Sequence, residues 1–161
     1  TEDEVEARRQ AFHAPYHEAL EAELERVRDL HGVAILYDCH SIRSHIPFLF
    51  DGTLPDFNIG TNLGTTCAPE IEAAVQNLCE MAKGYSSVTN GRFKGGWTAR
   101  HYGRPADGLH TIQMELAQST YLKDEAAPWT YDTEKSARLR GYLKTILTTL
   151  ADLAPDLKGT S

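Results

Sequence analysis

The stretch Val33-Ala34-Ile35-Leu36-Tyr37-Asp38-Cys39-His40-Ser41 decides the fold. It follows His31-Gly32, runs apolar from Val33 to Tyr37 and ends abruptly in polar chemistry. A short apolar run opened by a glycine reads as a strand buried on both faces. In an open α/β sheet, ligands meet the protein at the C-terminal ends of strands. An acid, an imidazole and a hydroxyl placed there suit a metal ion or a reacting carbonyl.

Upstream, Thr1 to Leu30 reads as one long helix. Thr1 and Glu4 have the spacing of a capping box. Phe12, Tyr16, Leu20, Leu24, Val27 and Leu30 recur every three or four residues as an apolar stripe. Glu18, Glu21, Glu23, Glu25, Arg26 and Arg28 fall mostly on the other side, as a solvated face. Gly32 fits the C-terminal cap. His13 and His17 share a helix face at metal-ligand spacing. No acid or cysteine completes a catalytic pattern around them, so they read as a surface or half-buried pair.

Downstream, Ser41 to Asp56 is a loop rich in turn formers that also carries Arg43, His45, Phe48, Leu49 and Phe50. A loop of that length with apolar residues is expected to fold over something. Phe57 to Thr61 reads as a short strand, and Ala68 to Lys83 as a helix with Pro69 in its first turn and Gly84 as its stop. Tyr85 to Thr89 reads as a third strand. Asn90 to Gly108 shows no apolar periodicity and reads as a loop. It gathers Arg92, Lys94, Arg100 and Arg104 among glycines. Glycines let backbone approach a ligand closely, and arginines clamp carboxylates or phosphates. An anion-binding loop therefore competes with a solvated basic hairpin, and the concentration of cations in an acidic chain favours the former. The segment has no phosphate-loop pattern.

His110 to Ala117 reads as a fourth strand, with Ile112, Met114 and Leu116 on one face and Thr111, Gln113 and Glu115 on the other. Glu115 is then either a candidate general base or part of the polar face of an edge strand. Gln118 to Thr133 is an irregular connection. Glu134 to Ala151 is a closing helix with a leucine-rich stripe, and the tail from Asp152 is expected to fray.

The whole pattern fits one α/β domain over residues 1–161. The net charge of -7 argues against a nucleic-acid binder. No apolar run reaches membrane-spanning length. Cys39, Cys67 and Cys79 are odd in number and form no CxxC pair, which suits free thiols in a reducing cytoplasm.

Five segments together resemble the N-formylglutamate amidohydrolase (deformylase) family. They are Asp38-Cys39-His40-Ser41-Ile42-Arg43-Ser44, Leu54-Pro55-Asp56-Phe57-Asn58-Ile59-Gly60-Thr61, Asn90-Gly91-Arg92-Phe93-Lys94-Gly95-Gly96-Trp97-Thr98, Arg100-His101-Tyr102-Gly103-Arg104-Pro105 and Ile112-Gln113-Met114-Glu115-Leu116. The resemblance implies an α/β fold with a mixed central sheet flanked by helices, like that of zinc carboxypeptidase-like and aspartoacylase-like hydrolases. It also implies hydrolysis of N-formyl-L-glutamate to formate and L-glutamate by a metal-activated water, a step of histidine degradation. By motif position, His40 corresponds to a zinc ligand and Glu115 to the base that takes the water's proton. Asp38 would orient His40. Arg43 would serve the oxyanion or a substrate carboxylate. Arg92, Arg100 and Arg104 would hold the two carboxylates, with hydrogen bonds from Asn90, Thr98 and His101.

Family members are longer at the N-terminus, where the first metal ligands lie, so the chain resembles the C-terminal portion of the enzyme. Self-association, or docking of the missing segment, is the expected consequence. Two other readings stay open: a remnant that binds anionic ligands without turnover, and a deacylase for a related N-acyl amino acid.

Overall fold

A computed structural model describes residues 1–157. Its element order is α1 (Glu2–Arg8), a π-helical turn (Arg9–His13), α2 (Ala14–His31), β1 (Ala34–Ile42), β2 (Phe57–Gly60), α3 (Pro69–Glu80), β3 (Ser87–Thr89), α4 (Trp97–Tyr102), β4 (Leu109–Ala117) and α5 (Thr133–Leu153). The four strands form one mixed sheet in the order β1-β4-β2-β3. β4 runs parallel to β1 and antiparallel to β2, and β3 runs parallel to β2.

Helices cover both faces. Phe57, Ile59, Ile112 and Met114 point to the face packed by α3 and α5, where they join Ile71, Val75, Leu139 and Ile146 in one apolar cluster. Ala34 and Leu109 point to the other face, against Leu24 of α2 and Tyr102 of α4. This is the mixed α/β architecture expected from the sequence.

The long N-terminal helix is continuous, but with a π turn just ahead of Pro15. Proline has no N–H to give to the preceding turn, which leaves room for a wider one. Gly32 caps the helix in the left-handed region at φ 79°. Only the middle of the apolar stripe is used. Leu24 is buried and Leu20 and Val27 pack beside it, whereas Phe12, Tyr16 and Leu30 are exposed.

Three expectations about the sheet and its loops are corrected. β1 is not buried on both faces: it lies at one edge among the described strands, pairs with β4 alone, and exposes Cys39, His40 and Ser41. The apolar run from Val33 to Tyr37 reports only the half of β1 that helices cover. β4 is not an edge strand. It lies between β1 and β2, with every residue but Leu116 buried. Its alternating polar residues point to a face that α4 and its leading loop close over. Finally, the segment 90–108 is not all loop. It contains α4, which buries Ala99 and Tyr102 three residues apart, and a 3-10 turn at Pro105–Asp107. A helix of six residues is too short to declare a period.

The last described helix turn covers Ala154–Leu157. The remainder of the tail, expected to fray, lies outside the described residues.

Candidate active site

The pairing of β1 with β4 builds the site. Asp38 lies opposite Gln113 and His40 opposite Glu115. Alternation along both strands puts all four side chains on the face shared with α2 and α4. These helices cover the early part of that face, over Ala34 and Leu109. The later part is open at His40.

His40 lies between two carboxylates. Its Nε2 is 3.0 Å from Asp38 Oδ2, and its Nδ1 is 3.9 Å from Glu115 Oε2. Side-chain exposure falls from 44% at His40 to 16% at Asp38 and 7% at Glu115. The imidazole thus faces solvent while Glu115 is held in the wall. Burial pushes the Glu115 carboxyl above its ordinary value of 4.5. The Asp38 charge pushes the same way, and His40 and a hydrogen bond from Gln113 pull it back. A desolvated carboxylate with a raised pKa is a better base near neutral pH than an exposed one. Asn58, opposite Glu115 on β2, donates to the backbone carbonyls of Pro55 and Glu115 and leaves its own buried Oδ1 without a partner.

The arginines are spread over several surfaces. Arg43 is exposed, one residue past the end of β1. The loop that follows it is pinned where Glu125 accepts from the Ser44 N–H and hydroxyl. Arg92 is exposed, with its guanidinium 5.4 Å from the centre of the Phe50 ring. Arg100, on α4, donates to the Gly95 carbonyl at 2.8 Å. None of these three has an acidic partner among the described residues.

Two residues expected at the site are committed elsewhere. Arg104 bonds through its backbone to Leu109 at the start of β4. That is about 20 Å along the strand from Glu115, at about 3.3 Å per residue. Its guanidinium pairs with Glu21 and Asp107. Asn90 spends its whole side chain on structure: Oδ1 accepts from the Thr61 and Leu63 N–H groups, and Nδ2 donates to Thr61 Oγ1 and Glu72 Oε2. Thr61 also donates to Glu72. Thr98 lies in the first turn of α4. His101 stacks on Trp97 with ring centres 4.1 Å apart. That pair belongs to an aromatic group with His13, His17 and Tyr102, in which Tyr102 Oη lies 2.6 Å from His17 Nδ1. The His13 and His17 pair therefore packs against α4.

The glycines also act differently from expectation. A Cβ on Gly60 would come within 2.5 Å of the Gly95 nitrogen. Gly95 itself takes φ +107°. These glycines let the loop press onto the sheet, where the Gly96 N–H donates to Gln113 Oε1 at 2.7 Å. Gln113 was legible only as a neighbour of Glu115 on the same strand face.

Among the described residues, no group of three or more His, Cys, Asp or Glu side chains could hold a metal ion. His40 offers a single ring, whereas catalytic zinc takes about three protein ligands and an open position. The donor set of this chain does not by itself fit zinc.

The family model of N-formylglutamate amidohydrolase matches residues 1–122. The chain belongs to the N-formylglutamate amidohydrolase family. It is 49% identical over 136 residues to an N-formylglutamate deformylase of Pseudomonas aeruginosa, covering 84% of this chain and 51% of that one. A second relative, the N-formylglutamate deformylase of Pseudomonas putida, is 52% identical over the same share of each. The crystal structure of N-formylglutamate amidohydrolase from Ralstonia eutropha JMP134 superposes with a TM-score of 0.79 at 25% identity, over 91% of this chain and 54% of that one. The chain spans about half the length of the relatives it matches. Among the described residues, no helix is long and apolar enough to cross a membrane.

Proposed function

We propose that this chain carries the base and part of the substrate site of an enzyme that hydrolyses N-formyl-L-glutamate to formate and L-glutamate. The observation that carries the reading is the buried Glu115 carboxylate beside His40 at the open end of a sheet face, in a chain of this family. Glu115 takes the proton of the attacking water and returns it to the leaving amine. Among the described residues, the solvent-facing Arg43, Arg92 and Arg100 have no acid to neutralise them, which suits them to a substrate with two carboxylates. Arg104 and Asn90 are left out of this set, because their side chains are already engaged. Thr98 and His101 stay in it as hydrogen-bonding groups on α4.

Zinc, when bound, would supply a water of lowered pKa and polarise the formyl carbonyl. His40 is this chain's contribution to such a site, with Asp38 holding the ring. The other ligands would come from sequence outside these 161 residues, in the half of the relatives' length that this chain does not match. Docking of that half, in preference to self-association, is our reading of the outer edge of β1, which is unpaired among the described residues. An apolar groove lies alongside it, lined by Val27, Val33, Ile35, Leu147 and Leu150. A cytoplasmic setting, within histidine degradation, accompanies this reading.

The test supplies the unmatched half of the Pseudomonas putida relative, fused or mixed, and measures formate release. The reading expects N-formyl-L-glutamate to be cleaved ahead of N-acetyl-L-aspartate. Binding of N-formylglutamate without turnover in the assembled protein would support the anion-binding remnant instead.

A further inference from the structure

Gln113 sits between the arginine-bearing segment and the carboxylate assigned as base. The residue is 4% exposed. The Gly96 N–H donates to its Oε1 at 2.7 Å. A backbone N–H can only donate, so the atom facing it is the amide oxygen, and Nε2 must point the other way. Nε2 lies 3.4 Å from Glu115 Oε2, at the long end of the hydrogen-bond range. This is the only hydrogen bond to the Glu115 carboxylate among the described residues. On the far side, the Gly95 carbonyl accepts from Arg100 at 2.8 Å. One peptide unit, Gly95-Gly96, therefore takes the guanidinium on its carbonyl and gives its N–H to the glutamine. The lack of side chains at Gly60 and Gly96 lets that unit sit so close: a Cβ on Gly96 would meet Gln113 Oε1 at 3.3 Å.

We propose that Gln113 is a positioning residue that clamps the Glu115 carboxylate to the Gly95-Gly96 peptide, and through it to Arg100. The clamp fixes the spacing between an arginine that binds a substrate carboxylate and the carboxylate that handles the proton. It directs Glu115 Oε2 toward the glutamine and leaves Oε1 for the water. Its catalytic value rests on the reading of Glu115 as base. Its existence does not.

Two readouts separate these claims. The first is the amide spectrum of the 15N-labelled chain. Gln113→Met removes the acceptor and is expected to move the Gly96 resonance. Gln113→Glu keeps an acceptor and is expected to leave Gly96 near its parent position. Glu115→Ala is expected to move the Gln113 side-chain amide pair while Gly96 stays. The second readout is formate release by the assembled protein. Gln113→Glu is expected to lower kcat by roughly ten- to a hundredfold with KM little changed, because the acceptor for Gly96 is kept while the amide donor to Glu115 is replaced by a second carboxyl group against it. Gln113→Met is expected to lower kcat and raise KM together, because the arginine segment is freed as well.

A Gly96 resonance unmoved in Gln113→Met, or a Gln113 amide pair unmoved in Glu115→Ala, overturns the clamp. A Gln113→Glu enzyme with parental kcat overturns its positioning role. If Gln113→Met does not fold, the Glu115→Ala spectrum decides. An assembled parent that releases no formate defeats the functional reading, and the spectra still decide the clamp.

Discussion

β1 and β4 are neighbours in parallel register, and each brings one of the two groups at the centre of the site. β1 is the more apolar over its first half, yet it exposes its second half and holds His40 where solvent reaches it. β4 alternates apolar and polar residues, yet it is buried nearly throughout and holds Glu115 in the wall. Burial is set by what covers a strand and not by its own hydropathy. A proton-transferring carboxylate benefits from the covered strand, where desolvation raises its pKa. A ligand or substrate contact has to sit on the uncovered one.

The largest expected effect breaks the comparison at Glu115. In the assembled protein, Glu115→Gln should cost turnover of N-formylglutamate about 10²- to 10⁴-fold. The same substitution should leave the thermal midpoint at pH 7 equal or higher, because it removes a desolvated charge. A thermal loss matching the loss of rate would make Glu115 structural.

Core packing sharpens the contrast within a single register row. Cys39 and Met114 are directly opposite each other, one exposed and the other 1% exposed. Met114→Ala should cost about 2–5 kcal/mol in denaturant unfolding. Cys39→Ala should stay within about 0.5 kcal/mol.

β4 also carries two titrating groups of opposite sign. Burial lowers the pKa of His110 from 6.5. The Ala68 N–H donates to its Nδ1, which leaves the proton on a buried, unpartnered Nε2. The neutral ring contributes its full stability above pH 6.5, and that contribution is lost as pH falls through the depressed folded value. Glu115 is raised from 4.5, so its contribution is present below pH 4.5 and is lost as pH rises through the folded value. Unfolding midpoints recorded against pH should lose part of their acid decline in His110→Gln and part of their decline with rising pH in Glu115→Gln.

Thiol labelling gives the smallest effect. Cys67 and Cys79 are buried and their thiols are pushed up to about 12. Cys39 is exposed on β1, although burial of part of the side chain and the Asp38 charge raise it too. Cys39 should react first with a thiol reagent, and the other two only on unfolding.

Much of the fold was readable in the chain. Gly32 and Pro69 mark helix ends, the stretches at Ala34, Phe57, Ser87 and Leu109 all form strands, and the polar end of β1 lies opposite Glu115 of β4. Sequence alternation also placed Glu115 with Gln113 on one face. Strand order was not readable, because it depends on which helices and loops close over each face. The reach of the basic segment was not readable either. Its arginines are alike in sequence, yet Arg100 binds the Gly95 carbonyl while Arg104 pairs with Glu21 on a helix far away in the chain. Motif position makes Asn90 a ligand-binding amide, whereas its positive φ of 53° and four hydrogen bonds make it a turn residue. Gln113 carries no signal of its own in the sequence, because a glutamine on a strand gains a role only from the peptide that lands on it.

Formate release and zinc content, measured together on the 161-residue chain and on the chain assembled with the unmatched half of a relative, test the account most directly. Zinc and formate release are expected only in the assembled protein, with release lost in Glu115→Gln. One zinc per chain and turnover by the chain alone would contradict the single-ligand role of His40, and undiminished release by the Glu115→Gln assembly would contradict the assignment of the base.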